Sequence, residues 1–354
     1  MTKKIEENSI QTQNLDTEAS VDQNLILKDL MRVKGVGTAQ AEKLYNAQIY
    51  SVEQLAAMPV GELMDRTGFA KKAVETLQQS ARPLCDFGEI VDATERLKEE
   101  NDSIFLSTGS AQFDELIGGG YPIGLITEIH AKDGVGKTQA VFTASVMATL
   151  PLSEGGLDGD VMYIDTEGTF SAKRIKEISD ARKLDTDKVL SRIHCIRVVS
   201  AAQQVLVMDK VNEVASTLNI KLIVVDSVIA TFRADFAGGR QILPERQGLL
   251  NKHLTSLKQF AKNHKAVIIC TNQMSANPDA GMFMADSQPV GGLVLGHNCA
   301  IRIGIRKGKA GTRVIRLEKS NTRATGECIV ELLDKGICDK KASKSINTSS
   351  DIKD

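Results

Sequence analysis

Residues Ala131 to Thr138 read Ala-Lys-Asp-Gly-Val-Gly-Lys-Thr, and this octet limits what the chain can fold into more than any other stretch. Its glycines let successive backbone N–H groups turn inward around a phosphate. The phosphate-binding run is Lys132, Asp133, Gly134, Val135, Gly136, Lys137, Thr138 and Gln139. Lys137 supplies a point charge for the β- and γ-phosphates of a nucleoside triphosphate, and the Thr138 hydroxyl is placed to ligate Mg²⁺. Such a loop works only between a strand and a helix, because the helix N-terminus adds to the positive field. Leu125–His130 reads as the buried strand and Gln139–Leu150 as the helix. Ala131 stands where such a loop usually begins with Gly, a substitution tolerated where φ is negative.

With 354 residues the chain has room for one large α/β domain and a small one. Its hydrophobic and charged shares are those of a soluble globular protein. No apolar run is long enough to span a membrane, and the polar start gives no sign of a signal peptide. The six cysteines are scattered without a C-x-x-C pair, which fits reduced thiols inside a cell and argues against a zinc site. Lys plus Arg number 44 against 45 Asp plus Glu, a net charge of −1. A protein that coats nucleic acid by bulk charge would be basic, so any DNA contact must be local and conditional.

Residues 1–24 and 340–354 read as disordered polar tails. Residues 25–81 read as a small helical module, with apolar residues at helical spacing around Lys34-Gly35-Val36-Gly37. A turn holding Gly35 and Gly37 between short helices resembles a helix-hairpin-helix element, which offers backbone N–H groups to DNA phosphates. A protein-interaction module with a glycine turn is the alternative. Residues 82–94 form a Pro- and Gly-punctuated linker, and 95–339 the large domain. There, short apolar runs (Val161–Ile164, Leu222–Val225, Ala266–Cys270 and Ala300–Ile305) alternate with helical patterns. The fold class is α/β, a mainly parallel sheet with helices on both faces, preceded by a small all-α domain.

Three strand ends carry chemistry. Leu222–Val225 leads to Asp226, whose carboxylate would emerge beside the phosphate loop and hold a Mg²⁺-bound water; an ordinary helix cap is the alternative. Tyr163-Ile164-Asp165-Thr166-Glu167 ends in acids, and Glu167 is the candidate to orient the attacking water, with Asp165 or a structural turn as alternatives. Thr271-Asn272-Gln273 follows a third strand, and the neutral amide of Gln273 can sense a γ-phosphate without repelling it; a satisfied turn residue is the plainer reading. Two long segments follow. Phe232–Gln247 holds Arg233, Gly238, Gly239, Arg240 and Arg246, and Ser275–Gly292 holds Met282, Phe283, Met284, Gly291 and Gly292. Arginines of the first could meet phosphates, and apolar side chains of the second could wedge between bases; surface lids would look the same.

Taken together, these stretches resemble the archaeal RadA recombinases, relatives of bacterial RecA and the eukaryotic strand-exchange proteins. The resemblance spans roughly residues 25–339 and rests also on Thr169-Phe170, Glu245-Arg246-Gln247 and Leu250-Asn251-Lys252-His253-Leu254. It implies a RecA-like P-loop ATPase core, with ATP and Mg²⁺ bound between protomers of a helical filament or ring. That filament would hold single-stranded DNA, search duplex DNA and exchange strands, in the cytoplasm and near the nucleoid. It further implies that Glu167 positions water, that Arg174 stacks on the adenine, that the two long segments bind DNA, and that His297 helps Gln273 report nucleotide state.

The chain departs from that family at two further places. The self-assembly motif, an aromatic residue followed three places later by Ala, reads Ile90-Val91-Asp92-Ala93 here, so Ile90 and Ala93 are expected to dock on a neighbour. In the segment that caps ATP from the next protomer, the usual Asp-x-Pro reads Lys319-Ser320-Asn321. The Lys319 ammonium is expected to reach the neighbour's γ-phosphate and replace a monovalent cation. A paralogue that regulates filaments without exchanging strands, or a hexameric helicase or clock-type ATPase on the same core, are the rival readings.

Overall fold

Helical spacing alone builds the first part of this chain, and the second adds the two-residue period of strands. The computed structural model describes residues 26–85, 90–236, 242–275 and 288–340. Two compact units meet in sequence at Arg96 and Leu97. Residues 1–25 and 341–354 lie outside the described residues, as do Gly238, Gly239 and Arg240 of the first long segment and Met282, Phe283 and Met284 of the second.

The first unit is built of helices: α1 (26–30), α2 (Thr38–Asn46), α3 (Val52–Ala57), α4 (Val60–Thr67) and α5 (Lys71–Ala81). Leu30, Val33, Val36, Ala41, Leu44 and Val74 are among the side chains that fill its core. Gly35 takes φ +96°, which only glycine adopts cheaply, and turns the chain from α1 into α2. Gln78 on α5 is buried, and its amide donates to the carbonyls of Leu55 and Met58 at 3.1 and 2.6 Å, tying α5 to the end of α3. The helix α6 (Ala93–Asn101) runs across the division. Asp92 caps it, accepting from the Thr94 and Glu95 amides at 2.8 and 2.9 Å.

In the second unit, β1 (Phe105–Leu106) and β2 (Tyr121–Pro122) pair on either side of α7 (Ala111–Ile117). There follow β3 (Ile126–Ala131), α8 (Lys137–Ala148), β4 (Asp160–Asp165), α9 (Ala172–Ala181), α10 (Thr186–Ser191), β5 (Ile193–Arg197), α11 (Ala201–Val214), β6 (Ile220–Asp226), α12 (Ala230–Asp235), α13 (Leu243–Asn263), β7 (Val267–Ser275), β8 (Gln288–Pro289), α14 (Gly292–Asn298), β9 (Ile301–Lys307), β10 (Arg313–Lys319), β11 (Gly326–Leu333) and β12 (Gly336–Asp339). The main sheet runs β12-β11-β10-β9-β3-β7-β6-β4-β5, with β8 paired to β7 off that path. Pairing is parallel from β9 through β5 and antiparallel from β9 through β12.

Alternate residues of the parallel strands feed two cores. On β6, Leu222 and Val224 face the side of α8, while Ile223 and Val225 face the side of α11 and α13. The sheet is therefore covered on both faces, as an apolar parallel strand requires. The antiparallel strands β10 to β12 were not foreseen from sequence. Strand β7 also runs further than its apolar run, so Thr271, Asn272 and Gln273 belong to the strand and do not follow it. Among the described residues no helix is long and apolar enough to cross a membrane.

Candidate nucleotide site and its link to the long loops

Register alone gathers the candidate residues at one edge. Ala131 pairs with Gln273 across β3 and β7, and Asp165 pairs with Asp226 across β4 and β6. Parallel strands side by side deliver their C-terminal residues to the same rim, where open α/β sheets bind ligands.

The phosphate loop forms as its glycines predict. Gly134 and Gly136 take φ of +67° and +128°, and Ala131 closes β3 with no left-handed backbone. A Cβ at 136 would lie 2.7 Å from Leu332 Cδ1, so glycine there is needed for space as well as conformation. Helix α8 starts at Lys137, with no side chain capping its first turn and no acidic residue in it. Its N–H groups are thus left for an anion. Lys137 is buried, and its ammonium lies 3.1 Å from the Ala131 carbonyl and 3.6 Å from Asp133 Oδ1. Lys132 contributes its carbonyl at 3.4 Å. On the far side of the loop, Arg313 Nε donates to the Val135 carbonyl at 2.5 Å.

Asp226 is buried and accepts from three hydroxyls. Its Oδ2 accepts from Thr138 Oγ1 at 2.9 Å and from Tyr163 OH at 2.7 Å, and its Oδ1 accepts from Thr271 Oγ1. Burial, then the Asp226 charge, push the Tyr163 phenol far above its ordinary range, so Tyr163 remains a donor. A hydroxyl held by a buried carboxylate beside a free helix N-terminus suits a Mg²⁺-bound triphosphate, with Thr138 as the ligand and Asp226 behind it.

The acids that end and follow β4, Asp165 and Glu167, divide their roles. Asp165 is buried, and its carboxylate accepts from the amides of Gly168 at 2.7 Å and of Glu167 and Thr169 at 3.2 Å each, with Arg197 also 3.2 Å away. It is the scaffold of the turn. Glu167 is exposed at its tip. The Gln273 amide donates to Glu167 Oε1 at 2.9 Å, and Gln273 Oε1 accepts from Arg233 Nη1 at 3.3 Å. Arg233 is exposed on α12, the helix that carries the chain into the first long segment.

Arg174 borders a cleft of about 710 Å³ lined also by Gln139, Glu177, Leu332 and Leu333. Its guanidinium donates to Gln139 Oε1 and to the Leu333 carbonyl, both at 2.8 Å, which fixes its plane beside the phosphate loop. Lys319 donates to the Gly296 and Cys299 carbonyls, both at 2.8 Å, at the end of α14. It therefore lies within its own chain at the return of the second segment. Gly291 and Gly292 have φ of +101° and +58° and open α14; His297 is exposed near its end. Arg246 is half-buried on α13.

In the first unit, the Gly37 amide donates to Gln40 Oε1 at 3.1 Å, while its φ is an ordinary −92°. Of the two glycines only Gly35 is conformationally required. A second turn, Gly68 at φ +66° between α4 and α5, escaped the sequence reading; Lys43 lies over the neighbouring Phe69 ring at 4.9 Å. Ile90 is fully exposed, and Ala93 begins α6. Sequence reasoning also missed Arg313, Tyr163 and Thr271. An arginine on a late strand carries no local signal for a contact with Val135, although a polar residue inside each apolar strand could have been queried.

Comparison with known proteins agrees with this geometry. The Rad51 family model matches residues 99–340, and a model described as a SAM-like helix-hairpin-helix tandem matches residues 27–83. The chain is 37% identical over 317 residues to the DNA repair and recombination protein RadA of Aeropyrum pernix, covering 88% of this chain and 97% of that one. It is 34% identical over 327 residues to the meiotic recombination protein DMC1 of Saccharomyces cerevisiae, covering 92% and 97% respectively. A matched ATPase core, a matched helical module and near full-length similarity to two recombination proteins lead to one assignment: the chain belongs to the Rad51 family.

Proposed function

We propose that this chain is a DNA-dependent ATPase that polymerises on single-stranded DNA and catalyses homologous pairing and strand exchange in recombination and repair. The observation that carries this reading is Gln273, one amide touching both Glu167 and Arg233. Glu167 orients the attacking water, Gln273 senses the γ-phosphate, and Arg233 belongs to the DNA-binding segment. Displacing any one of the three disturbs the other two, which is the coupling that DNA-dependent turnover needs.

The remaining residues take the following parts. Lys137 and the amides of Lys132 to Gln139 hold the triphosphate. Mg²⁺, bound through Thr138 with Asp226 behind it, would neutralise phosphate charge. Arg174 faces the adenine. Arg246, Arg240 and the turn at Gly291-Gly292 join Arg233 at DNA, and Gly35 with Gly37 grips backbone phosphates once Gln40 releases the Gly37 amide. Double-stranded DNA enters the same filament as the second substrate, in the cytoplasm where the chromosome lies.

Ile90 and Ala93 dock on the next protomer. An edge strand suits that contact: among the described strands β5 ends the main sheet, and Val199, two residues beyond it, is exposed. Lys319 caps the neighbour's ATP. An ammonium has three N–H donors, and two are engaged with Gly296 and Cys299, which leaves the third for a phosphate.

Electron microscopy with ATP and single-stranded DNA should show filaments, and labelled oligonucleotides should exchange strands. Closed rings without exchange would overturn the reading. Gln273→Ala is expected to cut the DNA-stimulated ATPase rate about 100-fold, and Ile90→Asp to shorten filaments.

A further inference from the structure

His130 is the last residue of β3 before Ala131 and lies immediately upstream of the phosphate loop. Its side chain is 4% exposed, yet both ring nitrogens have partners on other strands. Nε2 lies 2.9 Å from Glu318 Oε2 on β10, and Nδ1 lies 3.2 Å from Met274 Sδ on β7. Strands β3 and β10 are not neighbours, since β9 runs between them. The contact passes over Gly304, which pairs with His130 on one side and Arg316 on the other. A Cβ at 304 would stand 2.8 Å from Glu318 Oε1 and 3.2 Å from His130 Cε1. Gly304 has no positive φ to explain it, so the space it leaves is its use.

The same place holds an irregularity in the sheet. Leu317 pairs with Ile303, but Lys319 pairs with Arg302, so Glu318 is the residue left over by the shift. Bulges of this kind re-aim side chains beside active sites. The next side chain is Lys319, whose ammonium sits on the carbonyls that end α14. The hydrogen bond from His130 holds the Glu318 carboxyl below its usual range and keeps it ionised as the partner. One buried imidazole thus joins three segments: the phosphate loop through β3, the start of the second long segment through Met274, and the cap through Glu318.

We propose that His130 is a positioning residue that, by holding Glu318 in the bulge, sets where Lys319 points, so that the state of one protomer's phosphate loop governs how its cap meets the γ-phosphate on a second copy of this chain. The inference rests on the reading of Lys319 as the cap. It makes the His130–Glu318 contact the route by which ATP sites along a filament influence one another.

The test uses the full chain on single-stranded DNA, with ATP titrated in potassium-free and potassium-rich buffer. His130→Phe keeps a ring and removes both nitrogens. It should raise KM for ATP about 10-fold, as expected for a lost charged hydrogen bond, with kcat nearly unchanged. It should also lower the Hill coefficient toward 1 and create a potassium response that the parent lacks. His130→Gln retains a donor for Glu318 and should restore parental values. Lys319→Ala should raise KM alike, and adding His130→Phe to it should do no further harm. Parental kinetics in His130→Phe beside an impaired Lys319→Ala would overturn this inference and leave the cap intact. An unimpaired Lys319→Ala would overturn the cap reading and the inference together. Should His130→Phe not fold, Gly304→Ala presses on Glu318 from the other side; it should reproduce the KM rise, and parental values there would also overturn the inference.

Discussion

The parallel and antiparallel halves of the sheet handle one nucleotide site in different ways. The parallel strands β3, β4, β6 and β7 deliver their chemistry at strand ends, where register sets Asp226 beside Asp165 and Gln273 beside Ala131, and side chains then join Asp226 to Thr138 and Gln273 to Glu167. The antiparallel strands contribute from the flank. Arg313 braces the Val135 carbonyl, Leu332 fills the space that Gly136 leaves, and Lys319 holds the end of α14. The first half supplies charge to the reaction, and the second sets the shape of what holds the charge. Changes in the first should therefore appear in rate, and changes in the second in binding.

The largest effect should come from the parallel half. Lys137→Ala removes a buried cation aimed into the phosphate loop, and should lower kcat for ATP hydrolysis about 10²- to 10³-fold. A steady-state assay with single-stranded DNA checks it, and a loss confined to KM would break the comparison. The seam between the halves comes next. Glu128 on β3 is fully buried and accepts from Arg302 Nε on β9 at 2.6 Å and from Asn272 Nδ2 on β7 at 2.7 Å. Glu128→Ala strands the Arg302 charge and should destabilise the folded chain by about 3 kcal/mol, read by urea denaturation. A smaller change would mean that the halves are held by backbone pairing and apolar contacts alone.

The parallel half was far more legible in the sequence than the antiparallel one, and the reason is physical. A strand covered on both faces must be apolar throughout, so Leu222–Val225 and Ala266–Cys270 announce themselves, and a carboxylate or amide at their ends is conspicuous. Strand β11 breaks its apolar residues with Glu327 and Glu331 and fully buries only Val330, so it shows neither a continuous apolar run nor a clean alternation. Glycines that need positive φ, Gly134 and Gly136, were readable from the octet. Gly304 was not, because its role depends on two side chains from strands distant in sequence. Arg174 became a candidate only through family resemblance, for the same reason: its partners Gln139 and Leu333 lie 35 and 159 residues away.

The helix layer behind the parallel half offers a test by pH. His253 on α13 is fully buried, neither ring nitrogen has a hydrogen-bond partner, and burial pushes its pKa down from 6.5 to about 4. The folded pKa lies below the unfolded one, so the unfolded chain binds the proton first as pH falls. Stability from this residue is intact above pH 6.5 and lost between 6.5 and 4. By pH 5 the loss should be about 2 kcal/mol. Thermal melts across that range should show the decline in the parent and a flatter profile in His253→Leu. Equal slopes would assign the acid sensitivity to other groups.

The smallest effect should separate the halves most cleanly. Arg313 donates to the carbonyls of Val135, Gly311 and Thr312, and touches none of Lys137, Thr138 or Glu167 through any hydrogen bond described. Arg313→Ala leaves the loop carbonyl at 135 without its charged donor, and the loop loses part of its fixed shape before ATP arrives. Restoring that shape draws on binding energy, and once ATP is bound the reacting groups are unaltered. KM should rise about 10-fold while kcat stays within about two-fold. Arg313→Lys should recover little, since an ammonium cannot reproduce the fork that bridges three carbonyls. Steady-state kinetics on single-stranded DNA separates the cases: a fall in kcat as large as that of Lys137→Ala would place the brace inside the chemistry and erase the distinction between the two halves.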